Sequence, residues 1–144
     1  DLFDTIMHAR EIQAENLANF LIEQKANSDM PIVIHGKAYK PDVPYCIGSY
    51  STLIGHYLEQ QCQEFYYVDP LADNSERVIE SLGRPAVVLM AHNRHITYGY
   101  TGDSAQDHFY CEIEPGSVIV DPWRKLPKDM SGMTVIHYGN TRRP

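Results

Sequence analysis

The stretch between Ile32 and Pro70 constrains the fold more than any other part of this sequence. An apolar run at residues 31–35 ends at Gly36, and a proline-containing loop follows it. A helical pattern over residues 50–61, for which Ser49 is the predicted N-cap, leads to a second apolar run at 65–68 that stops at Asp69. This order predicts a strand, a loop, a helix and a second strand. Ligands of open α/β sheets bind at the carboxyl ends of strands, so we expect the loop after Gly36 to face a ligand.

The remaining apolar runs predict further strands of the same sheet. They lie at residues 86–90, 117–120 and 134–138, and such near-continuous runs are typical of parallel strands that are buried on both faces. Residues 2–24 predict one long helix, and residues 76–82 predict a short one. Residues 92–112 have no clear period and are interpreted as a loop or insertion. The fold class is therefore α/β, a Rossmann-like, mostly parallel sheet flanked by helices and preceded by a long N-terminal helix.

Size and charge narrow the classes of function. The 144 residues suit a linker helix over 1–26 and one domain over 27–144, and the sequence is interpreted as a piece of a longer protein. A formal charge of −7 argues against nucleic acid as a partner, and no apolar run approaches the roughly 18 residues that cross a bilayer. The three cysteines have no CxxC spacing, which favours reduced thiols and a cytoplasmic location.

An ordered set of residues carries a resemblance to a known family. The matching positions, in register without a gap, are Gly36, Ala38, Tyr39, Lys40, Ser49, Leu58, Asp69 and Pro70. With them, the chain resembles the C-terminal, nucleotide-sugar-binding domain of the UDP-glucose/GDP-mannose dehydrogenase family. Residues 1–26 resemble the end of that family's central dimerisation helix. Residues 120–124 and 136–139 resemble its late strands.

The resemblance implies a parent enzyme that oxidises the C6 alcohol of an NDP-sugar to a carboxylate with two NAD⁺. In the family, the catalytic cysteine and lysine and the NAD site lie in other domains. This sequence has no GxGxxG motif and no cysteine in the family's catalytic context, so no catalytic residue is assigned. We expect this chain alone to be inactive and not to bind NAD. The implied partners are a UDP-sugar or related nucleotide-sugar, the parent's missing domains, and a second copy in a homodimer.

The resemblance also implies substrate-binding residues. The family lysine at the position of Lys40 contacts the sugar nucleotide, and Tyr39 is expected to line the same cleft. Gly36 lets the backbone approach a ligand closely. Trp123 could stack on a base or sugar, and Arg124 could reach a phosphate.

The sequence departs from the family pattern at three places. The loop arginine that helps to hold NAD falls on Ile47, the loop aspartate falls on Tyr45, and Trp123 occupies an arginine position that Arg124 follows by one residue. These changes leave two alternatives open. One is a non-catalytic, diverged binding or oligomerisation module, and the other is an unrelated Rossmann-like nucleotide-binding protein. His92 and His95 alone do not make a metal site, which needs three or four ligands, so none is predicted.

Overall fold

The computed structural model describes residues 1–36, 50–69, 77–79, 82–91, 95–98, 108–111, 113–124, 126–129 and 132–139, with the backbone alone at 95–98 and 108–111. Within these ranges, no helix is both long enough and apolar enough to cross a membrane.

Five parallel strands form the main sheet. They are β1 (Ile32–His35), β2 (Phe65–Val68), β3 (Val87–Met90), β6 (Val118–Asp121) and β7 (Thr134–His137), and their spatial order is β2-β1-β3-β6-β7. The chain moves from β1 to one side for β2 and then to the other side for β3, so the order reverses around β1. This is the flavodoxin-like arrangement, in which ligands bind beyond the carboxyl ends of the strands near the reversal. The predicted α/β, Rossmann-like fold is confirmed.

Two helices cover one face of the sheet. The predicted long helix is α1 (Leu2–Lys25), and α2 (Tyr50–Gln60) connects β1 to β2. The two helices run in the same direction. Arg10, in the first half of α1, lies over the ring of Tyr50 at the start of α2, and Lys25 Nζ at the end of α1 donates to Gln63 Oε1, just after α2, at 2.7 Å. The predicted N-cap Ser49 lies outside the described residues.

The core between the helices and the sheet is built from alternate strand residues. Leu17 and Leu21 of α1 and Ile54 and Leu58 of α2 pack there on side chains such as Leu89. The opposite face of the sheet carries a second apolar cluster, whose buried members are Val33, Val68, Ala86, Val88, Met90, Ile119 and Val135. Because both faces are covered, the strands read as continuous apolar runs in the sequence.

α2 lies unusually close to β2. A Cβ at Gly55 would overlap the hydroxyl group of Tyr67 and would lie 3.0 Å from Cε2 of Phe65. The same hydroxyl donates to the carbonyl of Ser51, one turn earlier in α2, at 3.2 Å. The absence of a side chain at Gly55 therefore allows the helix to bond directly to a strand residue.

The short helix predicted around Glu76–Leu82 is wrong at the residues that the structure describes there. Val78 instead forms a parallel bridge with Tyr67, whose N–H donates to Arg77 O at 2.8 Å and whose carbonyl accepts from Ile79 N at 2.9 Å. β2 is the edge strand, and an edge strand presents unpaired backbone groups. Pairing with these groups holds Val78 in a bridge to the sheet, and Arg77 before it has a φ of 67°, so the segment does not continue as a helix.

Residues 92–112 are interpreted from the sequence as a loop or insertion, and the loop alternative is wrong in part. This segment contains β4 (His95–Tyr98) and β5 (His108–Cys111), which pair in parallel as a separate two-stranded sheet. His95, one of the two histidines weighed as metal ligands, begins β4. His92 lies outside the described residues.

Candidate ligand-binding site

A pocket with a cavity volume of about 570 Å³ opens at the carboxyl edge of the sheet. Its sheet-side wall comes from the ends of three strands. Met90 ends β3 and Ala91 follows it, Trp123 follows β6, and Tyr138 and Gly139 follow β7. The volume falls within the range of small-molecule sites. The pocket lies at the carboxyl edge, where ligands of open α/β sheets bind, but its strands are β3, β6 and β7, to one side of the reversal around β1.

The other wall of the pocket comes from the two helices. Leu17 and Ile54 provide apolar surface, Tyr50 stands at the start of α2, and Gln13 and Asn16 provide side-chain amides from α1. Gln13, Asn16 and Leu17 share one side of α1, because residues three and four apart are neighbours on a helix. Among the residues that the structure describes, no charged side chain lines this pocket.

Trp123 is held in place at the mouth of the pocket. Its indole Nε1 donates to the carbonyl of Met90 at 2.9 Å, and its backbone N–H donates to Oδ1 of Asp121 at 2.9 Å. The residue is still 43% exposed, so part of the ring remains accessible. An anchored, accessible ring is suited to stack on a planar ligand, because the stacking surface needs no further ordering.

Asp121 builds the turn that carries Trp123. Its side chain is buried, and its two oxygens accept from the N–H groups of Trp123, Arg124 (3.1 Å) and Leu126 (2.8 Å). The Leu126 carbonyl lies 2.8 Å from Nε2 of His137 on the neighbouring strand. Asp121 is therefore a turn-forming residue, as strand-terminal aspartates commonly are.

Arg124, predicted as a ligand contact, lies beside the pocket rather than in its wall. Its backbone has a φ of 57°, and Nη2 lies 3.0 Å from the carbonyl of Gly139 and 3.5 Å from that of Tyr138. These two bonds use one nitrogen of a guanidinium that has five N–H donors. Donors therefore remain for an anion at the mouth.

Gly36 lies at the carboxyl end of β1 with a φ of 110°, a conformation that favours glycine. Its N–H donates to Val68 O at 3.0 Å, and its carbonyl accepts from Ser51 Oγ at 2.6 Å. It is buried and is not in the lining of the pocket. Gly36 thus connects the end of β1 to both β2 and α2 through hydrogen bonds.

Tyr39 and Lys40, the predicted ligand contacts on that loop, lie outside the described residues, as do Tyr45 and Ile47. Of the five predicted substrate-binding residues, the structure thus places Trp123 in the pocket, Arg124 beside it and Gly36 at the same edge of the sheet. No group of three potential metal ligands is found in the part of the chain that the structure describes.

Tyr50 has an altered acidity. Burial raises the pKa of its phenol above the ordinary value of 10.0, and Tyr138 adds to this effect, while the charge of Arg10 opposes it. Tyr138 itself packs on Phe20 of α1, with ring centroids 4.7 Å apart. The phenol of Tyr50 is therefore neutral near pH 7 and can donate a hydrogen bond from the pocket wall.

Sequence reasoning did not select Gln13, Asn16, Tyr50 or Tyr138 as site residues. The two amides look like the solvent face of an amphipathic helix, and only the packing of α1 on the sheet brings them near Trp123. A weak signal was available, because Gln13 and Asn16 share their side of the helix with the core residue Leu17.

Comparison with known proteins assigns neither a family nor a function to this chain. No protein-family model matches this chain, and neither the curated proteins nor the solved structures include a significant match. The class that the structure defines is a Rossmann-like α/β domain with a pocket at the carboxyl edge of its sheet.

Proposed function

We propose that this chain is the nucleotide-sugar-binding domain of an NAD-dependent NDP-sugar 6-dehydrogenase, with a UDP-linked sugar as its ligand. The observation that carries the proposal is the pocket beyond β3, β6 and β7, with Trp123 at its mouth. Its place at the carboxyl edge of a parallel sheet is where ligands of this fold class bind. The sequence motif around Lys40 supplies the chemical class of the ligand.

The charges beside the pocket suit a ligand with a diphosphate. No charged side chain of the described residues lines the cavity. The guanidinium of Arg124 lies beside it and donates to the carbonyl of Gly139. An arginine held in this way offers its remaining N–H groups to phosphate oxygens. In the proposal, Lys40 adds a second positive charge from the loop that begins at Gly36.

The role of this chain in the reaction is to bind and orient the nucleotide-sugar. NAD would accept the hydride in the parent enzyme, and the catalytic cysteine and lysine would lie in its other domains. This sequence has no glycine-rich dinucleotide motif, so we assign none of its residues to NAD. The exposed free cysteine Cys62 is compatible with the reducing cytoplasm that we propose for the parent.

The fluorescence of Trp123 provides a direct test of binding, because it is the only tryptophan in the chain. UDP-glucose, UDP-N-acetylhexosamines and GDP-mannose would be titrated separately while the indole emission is followed. We expect a saturable change with at least one of them and a weaker response to glucose alone. A folded protein that responds to no nucleotide-sugar, and shows no heat of binding by calorimetry, would contradict the proposal.

A second measurement separates the enzyme from the diverged binding module that Ile47 favours. NADH formation by the intact parent protein would be followed with each sugar that binds. Turnover supports the dehydrogenase. Binding without turnover would instead assign the chain to a non-catalytic module, since Ile47 cannot make the hydrogen bonds of the arginine it replaces.

The proposal includes a homodimer of the parent protein. The first turns of α1 carry Leu2, Phe3 and Ile6, which are 73%, 65% and 56% exposed. These positions continue the side of the helix that is buried further along at Leu17 and Leu21. An exposed apolar stripe on the first turns of a helix is suited to pack on a second helix.

A further inference from the structure

We infer that the pocket between α1 and the sheet holds the nucleobase of the ligand, and that the side-chain amides of Gln13 and Asn16 bind its polar edge. This inference rests on the proposed function and goes further, because it assigns the base and not the sugar or the diphosphate to the cavity. It also assigns to α1 the role of recognising the base by hydrogen bonds.

The lining of the cavity favours a base over a sugar. Leu17, Ile54 and Leu89 provide an apolar surface, and Trp123 adds an aromatic ring to the lining. A pyranose carries hydroxyl groups around its whole rim, and burying them against aliphatic walls without partners is unfavourable. A nucleobase has two apolar faces and one polar edge, which matches a mostly apolar cavity with polar groups on one side.

The distribution of charged side chains around the cavity also favours the base as its occupant. A diphosphate needs cations or several N–H donors, and none of the described residues that line the cavity carries a charge. Arg124 instead lies next to the mouth, where it bonds to the carbonyls of Gly139 and Tyr138. The diphosphate is therefore placed outside the cavity, with the base inside and the sugar beyond the phosphates.

Gln13 and Asn16 have the chemistry that a base edge requires. Each amide presents one acceptor oxygen and an NH₂ donor, which complements the adjacent N–H and C=O of uracil or guanine. Both residues are exposed on α1, and neither side-chain amide bonds to another described residue. By contrast, the amide oxygen of Asn19, one turn further on, accepts from Gln61 Nε2 at 2.8 Å. Gln13 and Asn16 thus keep their hydrogen-bonding capacity for a ligand.

The test uses ligands whose base edge is blocked. UDP-glucose would be compared with its N3-methyluracil analogue, and GDP-mannose with its N1-methylguanine analogue, in the full chain and in the Gln13→Leu/Asn16→Leu variant. In the wild-type chain we expect methylation to weaken the preferred ligand about tenfold, the usual scale of one or two lost hydrogen bonds. In the double variant, we expect the parent ligand and its methylated analogue to bind alike.

A matched control is Asn19→Leu, which removes an amide from the same helix outside the cavity. It should keep the full difference between the parent and methylated ligands. Leucine is a good helix former at all three positions, so helix α1 is retained.

The outcomes separate this inference from the proposed function. If UDP-glucose or GDP-mannose binds but methylation has no effect on the wild-type chain, the base is not read in this cavity, and the proposed function stands alone. The same holds if the double variant keeps the full methylation effect. If no nucleotide-sugar binds the folded wild-type chain, both the proposed function and this inference are overturned.

Discussion

The indole of Trp123 is hydrogen-bonded to the carbonyl of Met90, the last residue of the neighbouring strand β3, at 2.9 Å. This bond joins the turn after β6 to the end of β3 across the mouth of the pocket. Because Asp121 also binds the backbone N–H of Trp123, both ends of the residue are fixed. The ring is therefore already oriented before a ligand arrives.

The first prediction concerns the contribution of this ring to binding. Stacking of a base on an aromatic side chain contributes about 1–3 kcal/mol, so we expect Trp123→Ala to weaken nucleotide-sugar binding roughly ten- to hundredfold. Trp123→Phe keeps a stacking face but loses the bond to Met90, and we expect an intermediate loss. Calorimetry is the appropriate measurement, because both variants lose the only tryptophan. Equal affinities of the wild-type chain and the two variants would show that Trp123 does not contact the ligand.

The second prediction concerns Lys40. A hydrogen bond to a charged group contributes about 1.5–3 kcal/mol, so we expect Lys40→Ala to weaken binding of the sugar nucleotide by roughly tenfold or more. The loss should be smaller at high salt, because screening already weakens the phosphate contact. The matched control is Lys25→Ala at the opposite edge of the sheet, where Nζ donates to Gln63. Titrations of both variants with the same ligand test this, and an unchanged affinity of Lys40→Ala would contradict the assigned role.

The third prediction concerns the close approach of α2 to β2. A methyl group at Gly55 would overlap the hydroxyl of Tyr67, so the helix or the ring must move. We expect Gly55→Ala to lower the free energy of unfolding by about 1–3 kcal/mol, although alanine is intrinsically the better helix former. Urea unfolding followed by circular dichroism measures this change.

A double-mutant cycle tests the cause of this loss. Tyr67→Phe removes the overlapping oxygen together with its bond to the Ser51 carbonyl. If the overlap is responsible, Gly55→Ala should cost less in the Tyr67→Phe background than in the wild-type chain. Additive losses would show that the hydroxyl is not the source of strain.

The sequence predicted the main sheet well because each strand is covered on both faces. Residues such as Val33 and Ile34 are both buried, on opposite faces, so burial leaves a continuous apolar run in the sequence. The helix predicted over residues 77–79 is wrong because helix propensity depends only on neighbouring residues. It contains no information about the unpaired backbone groups of β2, an edge strand that is distant in the sequence. The bond from Tyr67 N to Arg77 O and the ring of Phe65 beneath the Arg77 guanidinium are tertiary contacts of this kind.

The candidate site was predictable only where it coincides with a strand end. Trp123 follows an apolar run and could therefore be placed at the ligand-binding edge from the sequence. Gln13 and Asn16 lie more than a hundred residues earlier, and their approach to Trp123 depends on which face of the sheet α1 covers. Periodicity gives the buried side of a helix but not the strand ends that it will face.

The fourth prediction concerns the pH dependence of stability. Burial raises the pKa of Tyr50 in the folded chain, so the fold binds the phenolic proton more tightly than the unfolded chain does. This contribution to stability is complete below the ordinary pKa of 10.0 and is lost as the pH rises through the higher folded pKa.

Tyr50→Phe provides the measurement for this effect. Phenylalanine cannot ionise, so we expect the free energy of unfolding to fall less steeply in the variant from about pH 8 to about pH 11. Burial also raises the pKa of Tyr57, and a hydrogen bond to Glu64 raises that of Tyr66. These two tyrosines remain in both proteins, so the difference between the two curves isolates Tyr50. Parallel curves would mean that Tyr50 titrates alike in the folded and unfolded chains.

The fifth prediction concerns the apolar stripe at the start of α1. If Leu2, Phe3 and Ile6 pack on a second copy, a charge placed there must be desolvated in the dimer, which is strongly unfavourable. We therefore expect Phe3→Glu/Ile6→Glu to shift the intact protein from dimer to monomer in sedimentation velocity runs at the same concentration. Ile12→Glu is the matched control. Ile12 is 46% exposed, but it lies off the stripe because six residues span about 1.7 helical turns. A protein that is monomeric before any substitution, or a dimer that survives both glutamates, would remove this stripe as a dimer interface.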